Sequence, residues 1–157
     1  MLSEELSRLL KSKGLTISVA ESCTGGKVGD MITDVSGSSE YFFGGVISYS
    51  NRAKVDLLGV SKATLKTKGA VSAEVAKQMA SGARKALHTK IGVGITGIAG
   101  PLGGTPRKPV GLVYIAISSD SGTVSAKNLF KGSRARVKQQ SAMRALKMVV
   151  EFIEKKY

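Results

Sequence analysis

Apolar residues along this chain follow two spacings, one helical and one extended. Leu2, Leu6, Leu9 and Leu10 recur at three- and four-residue intervals. That spacing predicts a helix over about Leu2–Lys13, which Gly14 ends. Leu15–Ala20 alternates in part and reads as a strand. Gly25–Val35 predicts a second helix, with Thr24 as its N-cap and Gly37 as its breaker. Phe42–Tyr49 is aromatic and β-branched enough for a strand. Its Gly44-Gly45 pair implies a bulge or a close backbone approach.

Asn51–Leu58 predicts a short helix stopped by Gly59. Ser72 caps a longer one, whose Val75, Ala76, Met79, Ala80, Ala83 and Leu87 form one stripe. Ile91–Ile95 is a buried strand that runs into a glycine-rich loop. Val110–Ser118 and Thr123–Phe130 pair across the turn Asp120-Ser121-Gly122. A final helix spans about Arg134–Lys155, with Ala142, Ala145, Leu146, Val149 and Ile153 facing inward. Helices alternating with strands, followed by a hairpin, predict a layered α/β fold with a mixed sheet. No linker, repeat or low-complexity tract divides residues 1–157, so one domain is expected.

Composition narrows the chemistry. One cysteine, Cys23, excludes an intrachain disulfide and a multi-cysteine metal site, and the single histidine, His88, argues against a histidine-rich one. The net charge is +13, unevenly spread: residues 1–60 carry 6 basic and 7 acidic side chains, residues 61–157 carry 18 and 4. Such asymmetry raises nucleic acid, acidic membrane or a small anion as partner, beside the plain reading of a solvated lysine surface. Aromatics at 5% and no tryptophan are poor material for stacking on bases. No recognition motif for nucleic acid appears. The acidic start of MLSEELSRLLKSKG does not suit a secretory leader, and no apolar run spans a membrane. The cytosol is the expected compartment.

Polar residues and glycines collect at the ends of the predicted strands, where a rigid sheet would present them. The segments are Ala20–Gly26, Gly37-Ser38-Ser39, Tyr49–Lys54 and Thr96–Thr105 with Lys108–Gly111. Each has an ordinary reading: a capped helix start, a common turn, a solvated lysine, a long loop. The Gly-rich loop matches neither the Walker spacing nor the dinucleotide fingerprint. His88 lies at the end of a helix, away from all four segments, which removes the usual base of a serine or cysteine triad. A serine nucleophile with a lysine base stays open, provided that burial or a neighbouring cation lowers the lysine pKa.

Taken in order, AESCTGG, GSSEYFFGGVISYSNRAK, GAVS, TGIAGP, GGT, KPVG and FKGSR resemble the CinA C-terminal domain family over about Ser18–Arg134. The resemblance implies a three-layer α/β/α sandwich and self-association. It also implies a nicotinamide-nucleotide amidase, converting nicotinamide mononucleotide and water to nicotinic acid mononucleotide and ammonia without metal or organic cofactor. Residues 1–157 are expected to hold that domain alone, without the nucleotide-hydrolysing domain of longer relatives. The family pattern puts the nucleophile on Ser39, with Ser22 as the next candidate, and the base on Lys54. Tyr49 and Thr96 match other polar site residues. Arg134 matches a phosphate-binding arginine, with Arg136 as its alternative. Gly25, Gly26, Gly45, Gly97, Thr105 and Lys108 are expected around the substrate. Leu102 departs from the small or acidic residue expected in the loop. The readings set against the amidase are a nucleic-acid-binding module and a nucleotide-binding relative without activity.

Overall fold

A computed structural model describes residues 1–157. Five strands form one sheet in the order β2-β1-β3-β4-β5. β1 (Ile17–Glu21), β2 (Phe42–Ile47) and β3 (Ile91–Gly97) run parallel, and β4 (Leu112–Ser119) and β5 (Gly122–Leu129) add the antiparallel hairpin. The helices are α1 (Leu2–Lys13), α2 (Lys27–Thr33), α3 (Asn51–Leu58), α4 (Lys62–Lys68), α5 (Ala73–Leu87) and α6 (Arg134–Lys156). Helices cover both faces of the sheet, which gives the expected three layers. No helix is long and apolar enough to cross a membrane.

The two faces of the sheet are built differently. Ile17 and Val19 of β1, Ile91, Val93 and Ile95 of β3, and Val113, Ile115 and Ile117 of β4 pack in one core with residues of α1, α2 and α6. The alternate positions are small: Ser18 and Ala20, Gly92 and Gly94, Ala116. These admit α5 almost to the backbone. A Cβ on Gly92 would strike the Ala80 carbonyl, and one on Gly94 the Ala76 carbonyl. The pattern IGVGITG therefore records a close helix–sheet approach as well as a strand.

Most elements match the sequence pattern within two or three residues. α4 was not anticipated; it is one polar run, KATLKTK, capped by Ser61, whose hydroxyl accepts from the Thr64 N–H. The start of α2 is also corrected. Thr24 does not cap it, and its buried hydroxyl has no partner. The cap comes from Glu21, whose carboxylate accepts from the Gly26, Val28 and Gly29 amides at 3.0–3.1 Å. A carboxylate satisfies orphan amides and the positive helix end together, which a threonine hydroxyl cannot. His88 ends α5 in a left-handed conformation (φ 53°), a helix-end role as expected.

Gly94→Ala is expected to destabilise the fold by about 1–3 kcal/mol through overpacking. A urea titration should show a lower midpoint at unchanged slope. Removing the α6 cap with Ser133→Ala, whose hydroxyl accepts from the Arg136 N–H, should cost about 1 kcal/mol, and Ser133→Asp should restore most of it.

Candidate active site

The parallel strands all end at the same edge of the sheet, and the chain leaves each end through a polar segment. Ligands of open α/β sheets bind outside such carboxyl ends. Here a cavity of about 200 Å³ is lined by Ser22 and Cys23 after β1, Tyr49, Asn51 and Lys54 after β2, Thr96, Gly97 and Ala99 at the end of β3, and Ala70, Val71 and Arg134.

Lys54 is its centre. Ser50 caps α3 by accepting from the Ala53 N–H, which fixes the first turn and turns Lys54 inward on the same face as Leu58. Lys54 is only 1% exposed. Its Nζ donates to Ser22 Oγ at 3.0 Å, to the Ser48 carbonyl at 2.7 Å and to the Tyr49 carbonyl at 3.3 Å. No carboxylate pairs with it. Burial therefore lowers its pKa below the ordinary 10.5, opposed by the nearby Cys23 sulfur. A neutral amine at this distance can accept the Ser22 hydroxyl proton. The arrangement sets a serine hydroxyl against a desolvated lysine.

The turn after β1 supplies the rest. Ser22 N–H donates to the Ile95 carbonyl and Gly25 N–H to the Ser22 carbonyl, which fix the turn against β3. The Cys23 amide turns to its own thiol, and the Thr24 amide has no acceptor in the chain. The Cys23 thiol is pushed up from 9.0 to about 11, mainly by burial, with its own backbone hydrogen bond, Lys54 and Lys138 opposing and Glu21 assisting. It is a small packed side chain, not a thiolate.

Ser39 is not brought to this cavity. It sits exposed in a single 3₁₀ turn, Ser38–Glu40, just before β2. Lys54 follows the other end of that strand, and the five residue steps from Phe42 to Ile47 amount to about 17 Å. The serine whose hydroxyl meets the Lys54 amine is therefore Ser22 and not Ser39. Tyr49 is also reassigned. Its side chain is 61% exposed, and its phenol accepts from Arg134 Nη2 at 2.9 Å; only its main-chain carbonyl meets Lys54.

Thr96 lines the cavity and donates its hydroxyl to the Ala70 carbonyl, which ties the GAVS segment to β3. Arg134 opens α6 and donates to the Gly100 carbonyl at 2.8 Å, so it faces the mouth of the cavity. Arg136 lies instead beside Lys131, Gln139 and Gln140, so of the two arginines Arg134 lines the cavity. Gly97 is in the cavity wall, and Gly25 is in the Ser22 turn. Gly26 and Gly45 line a separate cleft between α2 and β2, where a Cβ on Gly45 would press into Val19. Thr105 and Lys108 do not reach the cavity. They close their own turn, and Lys108 Nζ donates to the Lys68 carbonyl at 2.6 Å. Leu102 is 85% exposed and does not line the cavity.

Three participants escaped the sequence: Glu21, whose carboxylate holds α2; Ser48, whose carbonyl gives Lys54 its shortest hydrogen bond; and Asn51 in the wall. None has a spacing that separates it from an ordinary strand-end or helix-start residue. A thiol-labelling reagent at pH 8 should modify native Cys23 at least about tenfold more slowly than the urea-unfolded chain, because burial limits both access and ionisation.

These features have counterparts in known proteins. The model of the CinA C-terminal domain matches residues 1–153. The CinA-like protein of Acaryochloris marina is 54% identical over 147 residues, which are 92% of this chain and 35% of that protein. The CinA-like protein of Kosmotoga olearia is 52% identical over 94% of this chain and 36% of its own length. The chain thus spans about a third of the length of these relatives. Among solved structures, the competence/damage inducible protein CihA from Agrobacterium tumefaciens superposes with a TM-score of 0.90 at 38% identity, covering 96% of this chain and 94% of that one. The competence damage-inducible protein A from Klebsiella pneumoniae gives 0.96 at 29% identity, covering 99% and 97%. With its mixed α/β sandwich and these motifs in order, the chain belongs to the CinA C-terminal domain family.

Proposed function

We propose that this domain is a nicotinamide-nucleotide amidase that works through Ser22 and Lys54. One observation carries the reading: a lysine 1% exposed, free of any carboxylate, within 3.0 Å of a serine hydroxyl at the carboxyl end of a parallel strand. Hydrogen bonding alone does not require an amine there, and a buried amine without an anion favours its neutral, basic form. The likeness of the motifs to the family supplies the substrate class.

In this mechanism neutral Lys54 takes the proton of Ser22 as its Oγ attacks the carboxamide carbon. The oxyanion accepts from the Thr24 amide, which has no acceptor of its own in the chain. Protonated Lys54 then returns the proton to the departing nitrogen, and ammonia leaves. Water attacks the resulting ester with Lys54 again as base. Ser22 is regenerated and the carboxylate product is released. Thr96 and the Ala70 carbonyl shape the wall beside the reacting group. Arg134, held by Gly100 and Tyr49, faces the phosphate end.

Ammonia release from nicotinamide mononucleotide, run beside nicotinamide riboside and free nicotinamide, tests the reading; none from any of the three overturns it. Ser22→Ala and Lys54→Met should each lower kcat by about 10³-fold or more, whereas Ser39→Ala should stay near the parent rate. Lys54→Arg should not rescue, because a guanidinium stays charged. Since burial depresses the Lys54 pKa, kcat/KM should rise with pH and level off below 10.5. The sign for stability is the same. The unfolded chain binds this proton more tightly than the folded one, so stability rises with pH between the depressed value and 10.5, and Lys54→Met should flatten that slope.

A further inference from the structure

Lys108 does not reach the cavity, yet it holds a segment that does. Ala70 and Val71, between α4 and α5, form part of the cavity wall. The three carbonyls that lead into this wall are each bound by a side chain. Lys108 Nζ donates to the Lys68 carbonyl at 2.6 Å, Ser72 Oγ to the Gly69 carbonyl at 2.9 Å, and Thr96 Oγ1 to the Ala70 carbonyl at 2.9 Å. Ser72 and Thr96 are buried, at the start of α5 and in β3. Only Lys108 comes from the loop after β3.

Local sequence presets where that ammonium goes. The Thr105 N–H donates to the Lys108 carbonyl at 2.8 Å, and the Lys108 N–H to Thr105 Oγ1 at 3.0 Å, so the bend is closed from both sides. Pro109 disfavours helical backbone at Lys108. Gly69 makes room on the other side: it adopts φ 79°, and a Cβ there would stand 2.9 Å from Lys108 Nζ. The ammonium meets no carboxylate. It meets the carbonyl end of α4, where the last turn lacks intrahelical partners and a cation is favoured. The loop is fastened at its other end by a second cation, since Arg134 donates to the Gly100 carbonyl. Residues 101–107, between the two fastenings, are all exposed.

We propose that Lys108 is a positioning residue for the cavity: it latches the loop after β3 to the end of α4 and thereby holds the Ala70-Val71 wall in its place against the substrate. The loop then acts as a strap from Arg134 on one side of the cavity to Lys68 on the other. Its effect falls on binding, because Ser22 and Lys54 are held by β1 and α3 and not by the strap. The effect on turnover rests on the amidase reading; the latch itself does not.

Two measurements on the full chain test this. Trypsin must draw the loop out to cut after the exposed Arg107, so the cut reports how often the latch opens. Its rate, followed by mass spectrometry and divided by that of a peptide with the same sequence, should rise about fivefold or more in Lys108→Met. Lys108→Arg, which keeps a charged donor, should stay within about twofold of the parent, and so should Lys68→Ala, which keeps the accepting carbonyl. In turnover of nicotinamide mononucleotide, Lys108→Met should raise KM about fivefold or more and leave kcat within about threefold, with Lys108→Arg again near the parent. An unchanged cutting rate or an unchanged KM in Lys108→Met overturns the proposal, as does a loss confined to kcat or an equal effect of Lys68→Ala. Cutting that merely follows a lowered urea midpoint also overturns it, because the whole chain would then be opening. A parent that releases no ammonia, with the cutting rates in the expected order, keeps the latch and loses the amidase reading.

Discussion

Lys54 carries a charge-bearing amine into a place nearly closed to solvent, where no carboxylate waits for it. Two carbonyls and one hydroxyl receive its hydrogens. This is enough to hold the side chain in place but not enough to repay the lost hydration of a full charge, and its pKa falls. The rest of the carboxyl edge of the sheet serves this one placement. The Ser50 cap aims the first turn of α3, the end of β2 presents the Ser48 and Tyr49 carbonyls, and the end of β1 brings Ser22 to meet the amine. Parallel pairing of β1 with both β2 and β3 puts all of these at one edge.

The fold holds that edge rigid by an unequal division of side chains. Large aliphatic residues fill the space beneath α1, α2 and α6, whereas glycine, alanine and serine line the side that meets α5. The close approach of α5 leaves little room for β3 to shift, and Thr96 at its end binds the Ala70 carbonyl just before α5 begins. Glu21 does the corresponding work on the other side. Its carboxylate fixes the start of α2 and ties it to the end of β1.

Charge is arranged with the same economy. The acids near the site are spent on amides, and the cations are left without acids. Glu21 caps α2, and Asp30 and Asp34 lie on that helix and its end, in no ion pair with a cavity residue. Arg134 remains to face the cavity from α6. The surplus of basic residues over 61–157 therefore has a local meaning at this edge, while most of the other lysines are exposed.

By itself the sequence determined the order of elements, the mixed sheet and the candidate pool, because periodicity of 3.6 and 2 and the glycine breaks are local properties. The bounds of α1 and α3, the Ser72 cap and the late hairpin were all legible in this way. The lone histidine at a helix end was legible too, and its place there took the usual base of a triad away from the strand ends. Local pattern could not choose between Ser39 and Ser22, since both follow small polar turns, nor between Arg134 and Arg136, two residues apart. Those choices depend on which end of β2 a turn occupies and on which face of α6 a side chain leaves. The α2 cap was misread because Glu21 acts across five to eight residues of chain, beyond the reach of a capping pattern. Only the tertiary structure decided these points, because distance through the sheet and burial of an amine arise from packing between segments that the sequence keeps far apart.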